Sequence, residues 1–184
     1  AAAAGRGAHY VTVLMGHSDV CQDRFADIPS EAEFESHFRA GLDKLKAGLP
    51  AGATVYVAGI VDIYRLWEVA RDKKALGIVD CEVLWATTLL KLFPCGTMLN
   101  PLIGDDDRQY TRSRIIAFNN ILKSVTEEYN RTDPNHYYVY TDAAFNFVFG
   151  EEHVSDIDCF HPSAYGQWTL SKETWNPGLF TGCR

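Results

Sequence analysis

The sequence lacks several features that would each have pointed to a class of function. No run of eighteen or more apolar residues occurs in its 184 positions, so nothing in it reads as a transmembrane helix. The five cysteines (Cys21, Cys81, Cys95, Cys159 and Cys183) contain no Cys-x-x-Cys pair, which argues against a zinc ribbon or a thioredoxin-type site. The 17 Lys and Arg are dispersed in a chain of net charge −7, without a basic stripe interleaved with aromatics. The electrostatic footprint of a nucleic-acid binder is therefore missing. Internal repeats and low-complexity tracts are absent. No signal peptide opens the chain; Ala1-Ala2-Ala3-Ala4-Gly5-Arg6-Gly7 reads instead as a processed or truncated terminus.

What is present describes a folded domain. An apolar content of 47% with 22% charged residues is ordinary for a globular chain, and the length suits a single domain with one core. Scattered cysteines in an acidic, aromatic-rich chain fit a secreted protein with one or two disulfides, reduced core thiols being the alternative. The sequon Asn130-Arg131-Thr132 is compatible with secretion. Two pairings suggest themselves. Cys81 and Cys95 flank an apolar stretch over residues 79–93, where a bridge would contribute roughly 3 kcal/mol. Cys21 and Cys159 each follow a loop that could carry chemistry.

Hydrophobic periodicity gives the order of elements. Tyr10-Val11-Thr12-Val13-Leu14-Met15 and Thr54-Val55-Tyr56-Val57-Ala58-Gly59-Ile60 are short apolar runs rich in β-branched residues and read as buried parallel strands. Between them, the capping box Ser30-Glu31-Ala32-Glu33 starts a helix with Phe34, Phe38, Leu42, Leu45 and Leu49 at helical spacing. Residues 62–74 look helical, and residues 61–107 as a whole form an irregular insertion that reads as a lid or binding wall. A further helix over residues 108–129 carries Ile115, Phe118, Leu122, Val125 and Tyr129 on one face. Tyr137-Tyr138-Val139-Tyr140-Thr141 is a third strand. Phe145, Phe147 and Phe149 alternate like a half-buried strand or a wall of the cleft, core packing being the plainer reading and acyl-chain binding the sharper one. Pro162 suits the first position of a last helix whose packing face is Ala164, Trp168 and Trp175, with Asn176-Pro177-Gly178 as its stop. The expected fold class is α/β with a parallel sheet.

In such sheets, sites form beyond the carboxyl ends of the strands. Two segments sit there. Gly16-His17-Ser18-Asp19 follows the first strand, and Asp158-Cys159-Phe160-His161-Pro162 follows the third. Asp158 and His161 are three residues apart in a loop. A carboxylate so placed can hold the imidazole Nδ1–H and leave Nε2 as a general base. Asp156 competes for the same orienting role, and a helix-capping Asp beside an incidental His is the plain alternative. His17, Ser18 and Asp19 cannot form a triad as adjacent residues, and Asp19 reads as a loop brace. His9, His37, His136 and His153 lack ligand spacing. Asp105-Asp106-Asp107 lacks the other ligands of a calcium loop and reads as a capping turn.

The two segments resemble conserved blocks of the SGNH (GDSL-type) hydrolases. Gly16-His17-Ser18-Asp19 is similar to their Gly-x-Asn-Asp block and Asp158-Cys159-Phe160-His161 to their Asp-x-x-His block. The cysteine after each, with Ser163 and Gly166, is most like the phospholipase B-type branch of secreted lipases and esterases. The resemblance implies a flavodoxin-like three-layer α/β/α sandwich. It implies His161 as base, Asp158 as its orienting partner, an oxyanion site at Gly16 and Ser18, and no metal or organic cofactor. Ser18 stands where the family has asparagine. The Gly-Asp-Ser-Leu block that carries the nucleophile is absent, so the chain would supply roughly the last three of five strands. The resemblance then implies, over residues 1–184, one domain lacking its first two strands. The expected partners are an acyl ester or lipid substrate and an N-terminal fragment of the same protein bearing the serine. A catalytically silent SGNH-like binding domain and a carbohydrate acetyl esterase remain as alternatives.

Overall fold

The structure, a computed structural model, describes residues 7–86 and 95–175. The alanine-rich start, most of the apolar stretch after residue 86, the Asn-Pro-Gly stop and Cys183 lie outside the described residues. The fold is mixed α/β, built on three parallel strands: β1 (Tyr10–Leu14), β2 (Thr54–Ala58) and β5 (Tyr137–Thr141), in the order β1-β2-β5. Tyr10 pairs with Thr54 and Thr54 with Tyr137, so the strands run in step and end at the same level.

The links between strands are helical because their apolar residues recur every three to four positions. α2 (Glu31–Gly48) follows a short α1 (His17–Val20), and α6 (Asp105–Thr132) leads into β5. Ser30 and Glu33 make the reciprocal capping box expected of α2. Three aspartates fill the first turn of α6, where the helix dipole favours negative charge, so it starts earlier than the apolar pattern alone suggests. α2 and α6 share one face of the sheet. Phe34 and Phe118 stack at 4.1 Å between them, and Phe118, Leu122 and Val125 are fully buried below.

Residues 61–107 include α3 (Ile63–Ala70), a small hairpin of β3 (Lys74–Ala75) and β4 (Val79–Asp80), α4 (Cys81–Trp85) and α5 (Gly96–Leu99). α3 ends at Ala70, short of residue 74, because the chain turns there into the hairpin. Arg108, buried at the base of α6, donates to the carbonyls of Met98, Asn100 and Ile103 and lies 4.3 Å above the Trp67 ring. This one side chain holds α3, α5 and α6 together.

Two disulfides are present, and neither expected pairing occurs. Cys21 bonds Cys95 and Cys81 bonds Cys159. Thr97 donates from its backbone to Gln22 and from its hydroxyl to Val20, which seats Cys95 against Cys21. The hairpin meanwhile turns Cys81 toward the loop carrying Cys159. Each bridge closes a span of 74 or 78 residues, and such a span alone contributes roughly 4 kcal/mol in the chain-entropy picture. The two spans overlap, so their contributions do not simply add.

The segment after β5 also departs from expectation. Phe147 and Phe149 are buried and pack edge to face at 4.8 Å, but Ala143–Asn146 is a helix (α7) and no strand forms. The alternation reports burial on a loop that pairs with no strand among the described residues. The last helix, α8 (Ala164–Trp175), begins two residues after Pro162. Ser163 caps it instead, its hydroxyl accepting from Gly166 N–H at 3.0 Å. Trp168 and Trp175 are more than half exposed and do not form the expected packing face. Gly166 is the buried residue of the helix, and a Cβ there would overlap the His153 carbonyl, so α8 docks through its glycine. The Tyr56 hydroxyl donates to the Thr174 carbonyl, which sets α8 on the sheet face opposite α2 and α6.

β1 has β2 as its only ladder partner among the described residues. Open grooves of about 500 and 470 Å³ lie on its two sides. Thr12, Leu14, Tyr56 and Trp175 line the first, and Val11, Val13, Phe34 and Phe38 the second. Among the described residues β1 is therefore an edge strand with an apolar groove on either side.

Candidate functional site

The loop that follows α7 is closed on itself before any functional residue is considered. Val154 and Pro162 form an isolated antiparallel bridge, Ser155 N–H donates to the His161 carbonyl at 2.9 Å, and Ser163 N–H donates to His153 at 2.8 Å. Within this ring, Cys159 takes a left-handed backbone (φ 56°), rare for a residue with a Cβ. Its bond to Cys81 ties that turn to the start of α4.

Inside the loop, Asp158 organises His161 completely. Oδ1 accepts the backbone N–H groups of Phe160 and His161, both at 3.0 Å, and Oδ2 lies 2.9 Å from His161 Nδ1. An ionised carboxylate can only accept, so Nδ1 carries the hydrogen and the Nε2 lone pair is left available. Burial pushes the Asp158 carboxyl up, but the hydrogen bonds from Phe160 N–H and from the His161 ring and N–H outweigh it. Asp158 is held below the usual carboxylate range and stays ionised. The His161 side chain is 65% exposed, so Nε2 can meet an incoming group.

The competing carboxylate is accounted for. Asp156 Oδ1 pairs with Lys73 Nζ at 2.7 Å, and the Asp156 carbonyl accepts Leu76 N–H at 2.6 Å. It braces the hairpin rather than the imidazole. Lys73 gave no signal in the sequence, where it is one of two adjacent lysines.

The Gly16 segment is a single turn of helix, not an open loop. Gly16 is buried with φ 104°, and an added Cβ would lie 2.5 Å from Ile60 Cδ1, so only glycine fits. His17 Nε2 accepts Val61 N–H at 3.3 Å, and burial lowers the His17 pKa, keeping the ring neutral. This bond fixes the segment to the exit of β2, whose Ile60 amide groups are held in turn by the Asn119 side chain. Asp19 contributes its backbone, donating to the Gly16 carbonyl at 3.1 Å; among the described residues its carboxylate braces nothing. The Ser18 side chain is exposed and its carbonyl accepts from Gln22.

Pro162 lines the first groove, whereas Gly16 and Asp19 line the second, so the structure does not bring the two segments into one groove. No hydrogen bond links Gly16 or Ser18 to Asp158 or His161 among the described residues. The two segments are not partners.

A second Asp-x-x-His pair went unread in the sequence. Asp133 Oδ2 lies 2.8 Å from His136 Nδ1 and Asp133 Oδ1 accepts Asn135 N–H at 3.0 Å, much as in the loop above. Here, however, His136 Nε2 faces the Leu49 carbonyl, Tyr138 donates to the same carboxylate, and both side chains are buried. This pair has no free nitrogen and no access. It locks the start of β5 at the end of the sheet opposite His161. The nearby sequon is also engaged in structure, since Asn130 Oδ1 accepts Tyr138 N–H within the last turn of α6.

No protein-family model matches the chain, and no curated protein matches it.

Proposed function

We propose that the chain is the general-base half of a serine ester hydrolase of SGNH type, acting on lipid or other acyl esters. The observation that carries this reading is the Asp158–His161 pair, bonded at 2.9 Å with an exposed imidazole. The resemblance of the two segments to the family's blocks agrees with it. In this reading, the three parallel strands are the last three of a flavodoxin-like sheet. The open edge of β1 receives the missing strands, which bring the nucleophilic serine on a separate segment of the same protein.

The chemistry then follows from the free nitrogen. His161 Nε2 removes the proton of the serine hydroxyl as its oxygen attacks the ester carbonyl, and Asp158 stabilises the imidazolium that forms. The imidazolium protonates the departing alkoxide, leaving an acyl-enzyme. A water molecule, deprotonated by the same nitrogen, releases the acid. Gly16 and Ser18 lie on the oxyanion side, with the Ser18 hydroxyl in place of an asparagine amide. The two disulfides persist only in an oxidising compartment, which suits a secreted enzyme.

A catalytically silent binding domain is the second reading, and Ser18 favours it. Loss of a well-placed oxyanion donor costs about 10²–10³ in rate. Hydrolysis of a soluble short-chain ester by the native protein, abolished in His161→Ala, separates the two. Hydrolysis that survives the substitution rejects the first.

A further inference from the structure

We propose that Asn130 carries an N-linked oligosaccharide, attached through Nδ2, that covers the free edge of β5. This modification is independent of the hydrolase reading. Asn130-Arg131-Thr132 is the one Asn-x-Ser/Thr triplet in the sequence; it closes α6, with Asn130 and Thr132 both exposed. Such triplets are common by chance, and what distinguishes this one is the state of its amide. Oδ1 accepts Tyr138 N–H at 3.1 Å, while Nδ2 has no partner among the described residues. The amide is thus held at its oxygen and open at its nitrogen, the atom to which a sugar bonds.

The same bond caps a strand edge. In β5, Tyr137 N–H donates to the Ala53 carbonyl and the Thr141 carbonyl accepts Gly59 N–H, both on the side of β2. Alternate residues of a strand present their amides to opposite sides, so Tyr138 and Tyr140 face away from β2. No strand pairs with β5 on that side among the described residues. Asn130 Oδ1 therefore stands where the carbonyl of a further strand would stand, on the first outward donor of β5. An uncovered strand edge is a template for pairing with another chain, and a bulky, hydrated glycan on this side chain occupies the space such a chain would need.

The two disulfides agree with this assignment, because they form in the same oxidising lumen in which oligosaccharide is transferred. The donor is an oligosaccharide linked to a lipid pyrophosphate. Nδ2 attacks the anomeric carbon, the bond from that carbon to the pyrophosphate oxygen breaks, and the lipid pyrophosphate leaves with the electron pair. Nδ2 gives up one of its two protons to a base of the transferase and keeps the other. Oδ1 takes no part, so the bond from Tyr138 N–H survives the transfer. Transfer acts on the chain before it folds, so the bond from the Thr132 hydroxyl to the Glu128 carbonyl in the finished helix is no obstacle. The glycan then stands at the Asp133–His136 end of the sheet and leaves His161 Nε2 open.

The test passes the native protein through a eukaryotic secretory pathway and maps peptides from medium and cell lysate, before and after peptide N-glycosidase F. The expected result is a peptide ending at Arg131 that appears only after treatment, with residue 130 deamidated. Thr132→Ala should yield that peptide unmodified without treatment, and Thr132→Ser, which preserves the triplet, should behave as the native protein does. Both variants retain the Asn130 amide on Tyr138 N–H, and the lysate reports on chains that fail to leave the cell. An unmodified peptide from the untreated native protein, or a glycan that survives Thr132→Ala, would overturn the proposal. Sedimentation tests the covering of the edge. The glycosylated protein should run as one species at concentrations at which Thr132→Ala self-associates; equal behaviour of the two would overturn the covering role.

Discussion

Lys73 Nζ lies 2.7 Å from Asp156 Oδ1, and the pair decides which carboxylate His161 can use. The same ammonium donates to the carbonyls of Glu151 and Val154 at 2.8 and 2.5 Å. One largely buried cation therefore satisfies three acceptors of the loop and removes Asp156 from competition with Asp158. Lys73→Met should destabilise the fold by about 2 kcal/mol, since two carbonyls lose a charged donor. Asp156→Asn, at an exposed carboxylate, should cost under about 1 kcal/mol. Urea unfolding of the two variants measures the difference.

Gly16 offers a test of backbone rather than charge. Alanine there meets both an unfavourable φ and the Ile60 side chain, and should cost about 2–3 kcal/mol. Ser18→Ala, two residues on and exposed, should leave stability within about 0.5 kcal/mol. A thermal melt of each distinguishes a constrained turn from a tolerant one.

Asp62 is buried, and its Oδ2 is forked by Arg112 Nε and Nη2 at 3.0 and 2.7 Å. Its Oδ1 has no partner among the described residues. Arg112→Met leaves a buried carboxylate uncompensated and should cost about 3 kcal/mol or more. The double variant Asp62→Asn, Arg112→Met should recover part of that loss in the same denaturant titration.

The two Asp–His pairs set the acid limb of stability. Asp158 and Asp133 are both held below the ordinary carboxylate range, against burial, by their hydrogen bonds. A carboxyl with a depressed folded pKa contributes stability that is present above its unfolded value, near pH 4. That contribution is lost as the pH falls through the folded value. The free energy of unfolding should therefore decline from about pH 5 downward, and Asp133→Asn and Asp158→Asn should each flatten the decline. A decline of unchanged slope in both variants would contradict the assignment.

These same pairs show where sequence reading stopped. The strands, the capping box of α2 and the buried stripe of α6 were legible because each is written in local periodicity. The spacing Asp-x-x-His is also local, and it occurs twice with nearly the same hydrogen bonds. What separates an available imidazole from a locked one is the Leu49 carbonyl and Tyr138 in one case and solvent in the other, and neither is local. Cysteine pairing failed for the same reason: Cys81 and Cys95 are near each other in sequence, but the hairpin and α5 carry them to different partners. Phe145, Phe147 and Phe149 carried a true burial signal that no neighbouring strand turned into a sheet.

The most direct measurement of the central claim is labelling of the native protein with a fluorophosphonate, followed by peptide mapping. A base at His161 with its nucleophile on another segment should give a labelled serine outside these 184 residues, and His161→Ala should abolish the label. Label on Ser18, or undiminished labelling in His161→Ala, would contradict it.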